Sequence, residues 1–277
     1  MQNAVALGTF DGVHKGHLSV LGIPDSYNKI ALIFQIPPKC VKKGLTELLM
    51  SPEEKQKRLE TLGFRVVALN FSEVEHMSPE SFLEYIKSEL SPAFISCGFN
   101  YRFGFMGAGD TELLGKFCAE NGIKLKVAEP VKEGESTISS SLIRRSLKNG
   151  EISYANRLLG YDYSFTSPVI RGDGRGRTLG FPTINQRYPE YLTPIKFGVY
   201  KSEILIDNRV YKGITNVGRR PTFPVDYIIC ETFIKDFSGD LYGSELRIAL
   251  KEFLREERKF LSVEELKHQV LKDIEKI

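Results

Sequence analysis

The chain has no tryptophan among its 277 residues, and only four cysteines, four methionines and four histidines. Cys40, Cys97, Cys118 and Cys230 stand far apart, with no C-x-x-C pair. That spacing excludes a zinc ribbon and a thioredoxin-type motif. Scattered thiols in a chain of this length read as small core residues in a reducing compartment. No apolar run approaches the roughly 20 residues of a membrane span. The opening MQNAVALGTFDG has no basic segment followed by a long apolar stretch, which argues against a signal peptide. A large charge of one sign is also missing, since 38 basic and 35 acidic residues leave +3. So small a surplus gives no ground for a nucleic-acid or membrane partner, and no obligate protein partner is evident. With 42% hydrophobic and 26% charged residues, the composition excludes a disordered chain and a collagen-like fibre. A soluble, cytoplasmic protein is expected.

At roughly 150 residues per domain the length suggests two domains. In the first half, short apolar runs at 5–7, 29–34, 65–69, 94–97 and 125–128 alternate with helix signals. Ser51-Pro52-Glu53-Glu54 is a capping box followed by Leu59 and Leu62, and Ser78-Pro79-Glu80 opens a second helix. This alternation predicts a parallel, doubly wound α/β sheet. From about Ser164 the style changes to β-rich segments at 197–206, 209–217, 227–237 and 245–253. Turn signals such as Asp207-Asn208 separate them, which predicts an antiparallel barrel or sandwich. A last helix starts at Ser262, with Val263, Leu266, Val270 and Ile274 on one face, expected to pack on the β domain. The junction is placed near Leu158-Leu159-Gly160, giving domains at 1–158 and 159–277.

Four constellations carry chemistry. The first, Gly8-Thr9-Phe10-Asp11-Gly12-Val13-His14-Lys15-Gly16-His17, follows a predicted strand. A strand, a glycine-rich turn and a helix N-terminus form an anion site. His14 and His17, three apart, share a helix face and can donate to phosphate oxygens. Alternatively they are two solvated histidines. The second, Ile138-Ser139-Ser140-Ser141-Leu142-Ile143-Arg144-Arg145, places hydroxyls at a helix start and a fixed charge on Arg144. An ordinary capped helix is the plain alternative. Asn100 follows another predicted strand, at the end where open α/β sheets bind ligands.

The third constellation runs from Arg171 to Asn185 and includes Gly172, Gly174, Arg175, Gly176, Arg177, Gly180 and Pro182. Such a loop can wrap phosphates while its basic groups neutralise them. Thr183 and Asn185 present oxygen atoms suited to Mg²⁺. A flexible or RNA-binding Arg-Gly segment is the competing reading. The fourth is Glu231, which shares a strand face with Ile229 and Phe233. A carboxylate there is costly unless it is paired, protonated or used. It is therefore either a general base or half of an ion pair.

Taken together and in this order, the constellations resemble the bacterial bifunctional riboflavin kinase/FMN adenylyltransferase (FAD synthetase) family. His14-Lys15-Gly16-His17 matches the HxGH nucleotidyltransferase signature, and Pro182-Thr183-Ile184-Asn185 behind the glycine–arginine loop matches flavokinases. The resemblance implies a Rossmann-like N-terminal domain and a six-stranded flavokinase β-barrel with a C-terminal helix. It implies riboflavin, FMN, FAD and ATP as the small-molecule partners, with ATP as co-substrate and Mg²⁺ as cofactor. Glu231 is then the kinase base, and Thr183 and Asn185 the metal ligands. His14, His17 and Arg144 serve adenylyl transfer. Gly8, Phe10, Asp11, Gly12, Asn100, Ser140 and Ser141 bind its substrates. The alternative is a kinase alone beside a degenerate adenylyltransferase domain, because Phe34 to Lys39 lack the family's histidine and the first crossover is short.

Overall fold

The computed structural model describes residues 1–36, 47–172, 176, 179–219 and 227–277. The chain forms two compact units, Met1–Ser140 and Ser141–Ile277.

In the first unit, β1 (Asn3–Leu7), β2 (Asn28–Phe34), β3 (Arg65–Leu69), β4 (Pro92–Gly98) and β5 (Lys124–Ala128) form one parallel sheet. Their order is β3-β2-β1-β4-β5. The chain winds outward one way through β2 and β3, then the other way through β4 and β5. The reversal falls between β1 and β4, and the crevice at their carboxyl ends is the natural ligand site of such a sheet. Ala4, Val5, Ala6 and Leu7 are all buried. A strand covered on both faces reads as a continuous apolar run, which is why it is recognisable in the sequence. Helix α1 (Lys15–Leu21) has only seven residues, so the short first crossover still brings β2 into parallel register with β1.

Helix α2 (Pro52–Thr61) starts as its capping box dictates, with Ser51 Oγ accepting from the Glu54 N–H at 3.1 Å. A single turn, α3 (Phe71–Val74), precedes α4 (Pro79–Leu90), which buries Phe82, Leu83, Ile86 and Leu90 at helical spacing. Helix α5 (Thr111–Glu120) is capped by Asp110. A small hairpin of β6 (Lys132–Glu133) and β7 (Ser136–Thr137) was not foreseen from the sequence.

The second unit opens with most of α6 (Ser140–Asn149), then α7 (Ile152–Leu159). It continues as a closed barrel of β8 (Ser164–Ile170), β9 (Thr183–Arg187), β10 (Gly198–Ile206), β11 (Arg209–Arg219), β12 (Ile228–Ile234) and β13 (Glu245–Arg255). Of the two β architectures expected, the barrel is the one formed, since β10 pairs with both β11 and β13 and leaves no free edge. Tyr200, Ile204, Val217, Cys230, Ile248 and Leu250 fill the interior. Buried hydroxyls satisfy one another there: Thr215 Oγ1 lies 2.8 Å from Ser202 Oγ and 2.9 Å from Thr232 Oγ1. Asp207 and Asn208 both take positive φ, 48° and 62°, the conformation of a tight hairpin turn.

Asn156 of α7 donates to the Leu250 carbonyl at 2.8 Å and accepts from the Tyr163 N–H at 2.8 Å, fastening that helix to the barrel. The last helix, α8 (Val263–Ile274), departs from expectation at one residue: Val263 is half exposed. The attachment lies in the other half of the helix. There Asp273 is buried and receives both Nε and Nη2 of Arg255, at 2.9 and 2.8 Å.

Candidate active sites

The first site grows from the carboxyl end of β1. Gly8 leaves room for the Phe10 ring, since a Cβ there would lie 2.9 Å from it. Phe10 and Val13 adopt φ of 46° and 32°, a left-handed conformation that costs a side-chain-bearing residue roughly 1–3 kcal/mol. Gly12 takes φ 86° without that cost. The turn so strained delivers His14 and His17 to the start of α1. Their rings stack with centroids 3.6 Å apart, and the Phe10 ring meets His17 edge-on at 5.3 Å. The His14 backbone N–H donates to His17 Nδ1 at 3.3 Å, which leaves the proton of a neutral His17 on Nε2. Ser140 Oγ donates to the Asp11 carbonyl at 3.0 Å and lies 3.3 Å from His14 Nε2. The buried Asp11 carboxylate accepts the Leu49 N–H at 3.0 Å. Burial first, then the positive charges of His14 and Lys55, hold the His17 pKa well below the ordinary 6.5.

The second site lies on the outside of the barrel. On β12 the buried Cys230, Thr232 and Ile234 point inward, so Glu231 faces outward with Ile229 and Phe233. Glu231 stands directly between Asn185 of β9 and Asn216 of β11 in the strand register. Residues opposite one another across antiparallel strands project from the same face. Thr183, opposite Phe233, belongs to that face as well. The loop before β9 presses on it: a Cβ at Gly172 would lie 2.4 Å from Asn185 Nδ2, and one at Gly176 would lie 3.1 Å from Thr183 Oγ1. Asn185 is 6% exposed, and its Oδ1 has no hydrogen-bond partner among the described residues. A buried amide oxygen without a donor is costly, and a hard oxygen-seeking cation fits it. Asn216 Nδ2 donates to Glu257 Oε1 at 3.1 Å, bringing a second carboxylate to the edge of the row.

The first unit thus gathers Gly8, Phe10, Asp11, Gly12, His14, His17 and Ser140 around one turn. Asn100 is exposed just beyond β4, at the same end of the sheet. Ser141 is exposed and Arg144 half-buried on α6, in the second unit. In the barrel, Gly172, Gly176, Thr183, Asn185 and Glu231 converge. Gly180 takes φ 87° in the turn before β9, and Pro182 is exposed. Gly174, Arg175 and Arg177 lie outside the described residues, as do Pro37 to Lys39. Lys55, Asn216 and Glu257 escaped the sequence reading as site residues. Lys55 left a trace, a charge four residues before the buried Leu59 and so on the core side of its helix. No group of three or more His, Cys, Asp or Glu residues is placed to hold a metal among the described residues.

Comparison with known proteins gives a consistent picture. The family described as FAD synthetase matches residues 1–142, and the family described as riboflavin kinase matches residues 159–277. A "bifunctional riboflavin kinase/FMN adenylyltransferase" of Listeria monocytogenes is 33% identical over 99% of this chain and 90% of its own length. Proteins of the same name from Bacillus subtilis and Escherichia coli K12 are 33% and 31% identical, over 98% and 97% of this chain and 90% of their own lengths. A solved chain of Streptococcus pneumoniae, described as a macrolide-efflux protein, has a TM-score of 0.91 and 28% identity, covering 99% of this chain and 93% of its own. No helix among the described residues is long and apolar enough to cross a membrane.

Proposed function

This chain belongs to the bifunctional riboflavin kinase/FMN adenylyltransferase family, and from that premise we propose how its residues divide the two reactions. It phosphorylates riboflavin to FMN with ATP, and it joins FMN to the AMP part of ATP with release of pyrophosphate. Both family matches and the near-complete coverage of the relatives disfavour a kinase alone.

The observation that carries the kinase assignment is the cross-strand row Asn185–Glu231–Asn216, with the Asn185 amide oxygen left without a donor among the described residues. The Glu231 carboxylate takes the proton of the riboflavin 5′-hydroxyl. That oxygen bonds to the γ-phosphorus of ATP, the bond to the bridging oxygen breaks, and ADP departs. Thr183 Oγ1 and Asn185 Oδ1 would hold Mg²⁺, which neutralises charge on the nucleotide phosphates when bound. Gly172, Gly176, Gly180 and Pro182 shape the loop over those phosphates.

In the adenylyltransferase reaction an FMN phosphate oxygen bonds to the α-phosphorus of ATP, and the bond to the β-phosphate bridge breaks. His14 and His17 donate hydrogen bonds to the α-phosphate oxygens as charge builds there. Ser140, Ser141 and Arg144 hold the departing pyrophosphate, while Gly8, Phe10, Asp11, Gly12 and Asn100 seat the substrates. The stacked imidazoles at the carboxyl end of β1 support this reading. The cytoplasm as its compartment, and a domain boundary at 158/159, are part of the same proposal.

The test is a time course of riboflavin with ATP and Mg²⁺, with products resolved by chromatography. FMN should appear first and FAD after it. FMN accumulating without FAD returns the kinase-only alternative, and absence of FMN overturns the kinase assignment.

A further inference from the structure

We propose that Lys55 is a positioning residue for adenylyl transfer: its buried ammonium ties the end of β1 to the end of β2 and thereby fixes the turn that presents His14 and His17. This rests on the adenylyltransferase reading of that site.

Lys55 is 3% exposed, an unusual place for an ammonium. Its Nζ donates to the carbonyls of Phe34 at 2.6 Å, Gln35 at 3.0 Å and Thr9 at 3.4 Å. An ammonium carries three donors and no acceptor, and these three carbonyls from two strand ends are among its acceptors. Phe34 is the last rung of the β2–β3 ladder, and Gln35 and Thr9 lie just past their strands, where carbonyls run out of strand partners. The ammonium satisfies them, and they offset its own desolvation.

The consequence reaches the histidines through the chain. Thr9 lies between Gly8 and Phe10, and Phe10 sits in a strained conformation with its ring against His17. Releasing the Thr9 carbonyl frees that turn. The charge acts on the same ring from a distance. Burial first, then the charges of His14 and Lys55, oppose protonation of His17. A neutral His17 keeps Nδ1 as acceptor for the His14 N–H, the bond that sets its tautomer. The two effects are read separately, the charge of Lys55 in the titration of His17 and its tie to Thr9 in the adenylylation kcat.

The experiment uses the full chain with Lys55→Gln, which keeps donors without charge, Lys55→Arg, which keeps charge, and Lys55→Met, which keeps neither. Three quantities are read: riboflavin phosphorylation, kcat and KM for FMN adenylylation, and NMR titration of the four imidazoles. Phosphorylation should stay within about twofold. In Lys55→Gln the adenylylation kcat should fall about 10- to 100-fold, the scale of a small misplacement, with a smaller loss in Lys55→Arg. The His17 titration should rise in Lys55→Gln, while burial and His14 still hold it below the ordinary imidazole range, and should stay where it is in Lys55→Arg. An adenylylation kcat that is unchanged in Lys55→Gln, or a His17 titration that does not move there, with native amide signals for the first unit, overturns the proposal. Should the Met variant fail to fold, the Gln and Arg pair still separates charge from hydrogen bonding. If the unaltered protein makes no FAD, the adenylyltransferase reading fails, and the His17 titration still judges the hold of Lys55 on that ring.

Discussion

His14 and His17 lie ring to ring, 3.6 Å between centroids and 17° from parallel. Two protonated imidazoles at that separation repel in a setting that water screens poorly. Burial above all, and then this repulsion, make folding favour the neutral form of His17, whose pKa falls below 6.5. In the unfolded chain His17 binds its proton at higher pH than in the folded one. The unfolded state thus holds more protons as pH falls through 6.5, and stability drops over that window while remaining complete above it. Melting temperatures from about pH 7.5 to about pH 5.5 should show this decline. His17→Gln should flatten it, because other titrating groups are common to both proteins. Equal slopes in the two would refute the assignment.

Glu231 faces Asn185 and Asn216 across adjacent strands, so a neutral isostere preserves shape and packing there. Glu231→Gln should cut the kinase kcat by at least about 10²-fold, the low end for losing a general base. Flavin affinity, read by fluorescence titration, should barely change. A matching loss of flavin binding would make Glu231 a binding group instead.

Gly172 carries no positive φ, so an alanine there is tolerated by the backbone, and the nearest group it meets is the Asn185 amide, at 2.4 Å. Either the loop or the amide must move. Gly172→Ala is expected to raise the KM for Mg·ATP about tenfold in riboflavin phosphorylation while FMN adenylylation keeps its rate. Unchanged kinetics would mean that Asn185 does not need its present position.

The legible parts of this chain were those whose residues obey one rule at a time. Val5, Ala6 and Leu7 are buried on both faces of a parallel sheet and read as a plain apolar run. Strand β9 obeys several rules and went unrecognised as a strand. Thr183 and Asn185 face the loop, while Gln186 points into the barrel and spends its amide on the carbonyls of Ser167 and Leu246. No alternation of apolar and polar residues survives in such a strand. The motifs named the candidate residues, but only the fold shows that Glu231 and Asn185 are neighbours, since register between distant segments has no local signal. Lys55 was hidden for a related reason: a charge in a helix reads as solvent-facing until three carbonyls are found beneath it.

The final helix shows how a buried charge can replace an apolar contact. Asp273 is 1% exposed and accepts two hydrogen bonds from Arg255 on one oxygen, while Gln269 donates to the other at 2.9 Å. Removing the carboxylate leaves a guanidinium in a poorly hydrated place without the partner of its Nε and Nη2, only Nη1 keeping its bond to the Glu256 carbonyl. Asp273→Ala should therefore destabilise the second unit by about 3 kcal/mol, the usual result of breaking a buried pair from one side. Swapping both residues for apolar ones, Arg255→Met with Asp273→Leu, should recover much of that loss, because no charge is then stranded. Urea unfolding followed by hydrogen exchange of the β13 and α8 amides measures both variants. A single substitution as mild as the double one would show that the ion pair adds little and that Leu266, Val270 and Ile274 hold the helix by themselves.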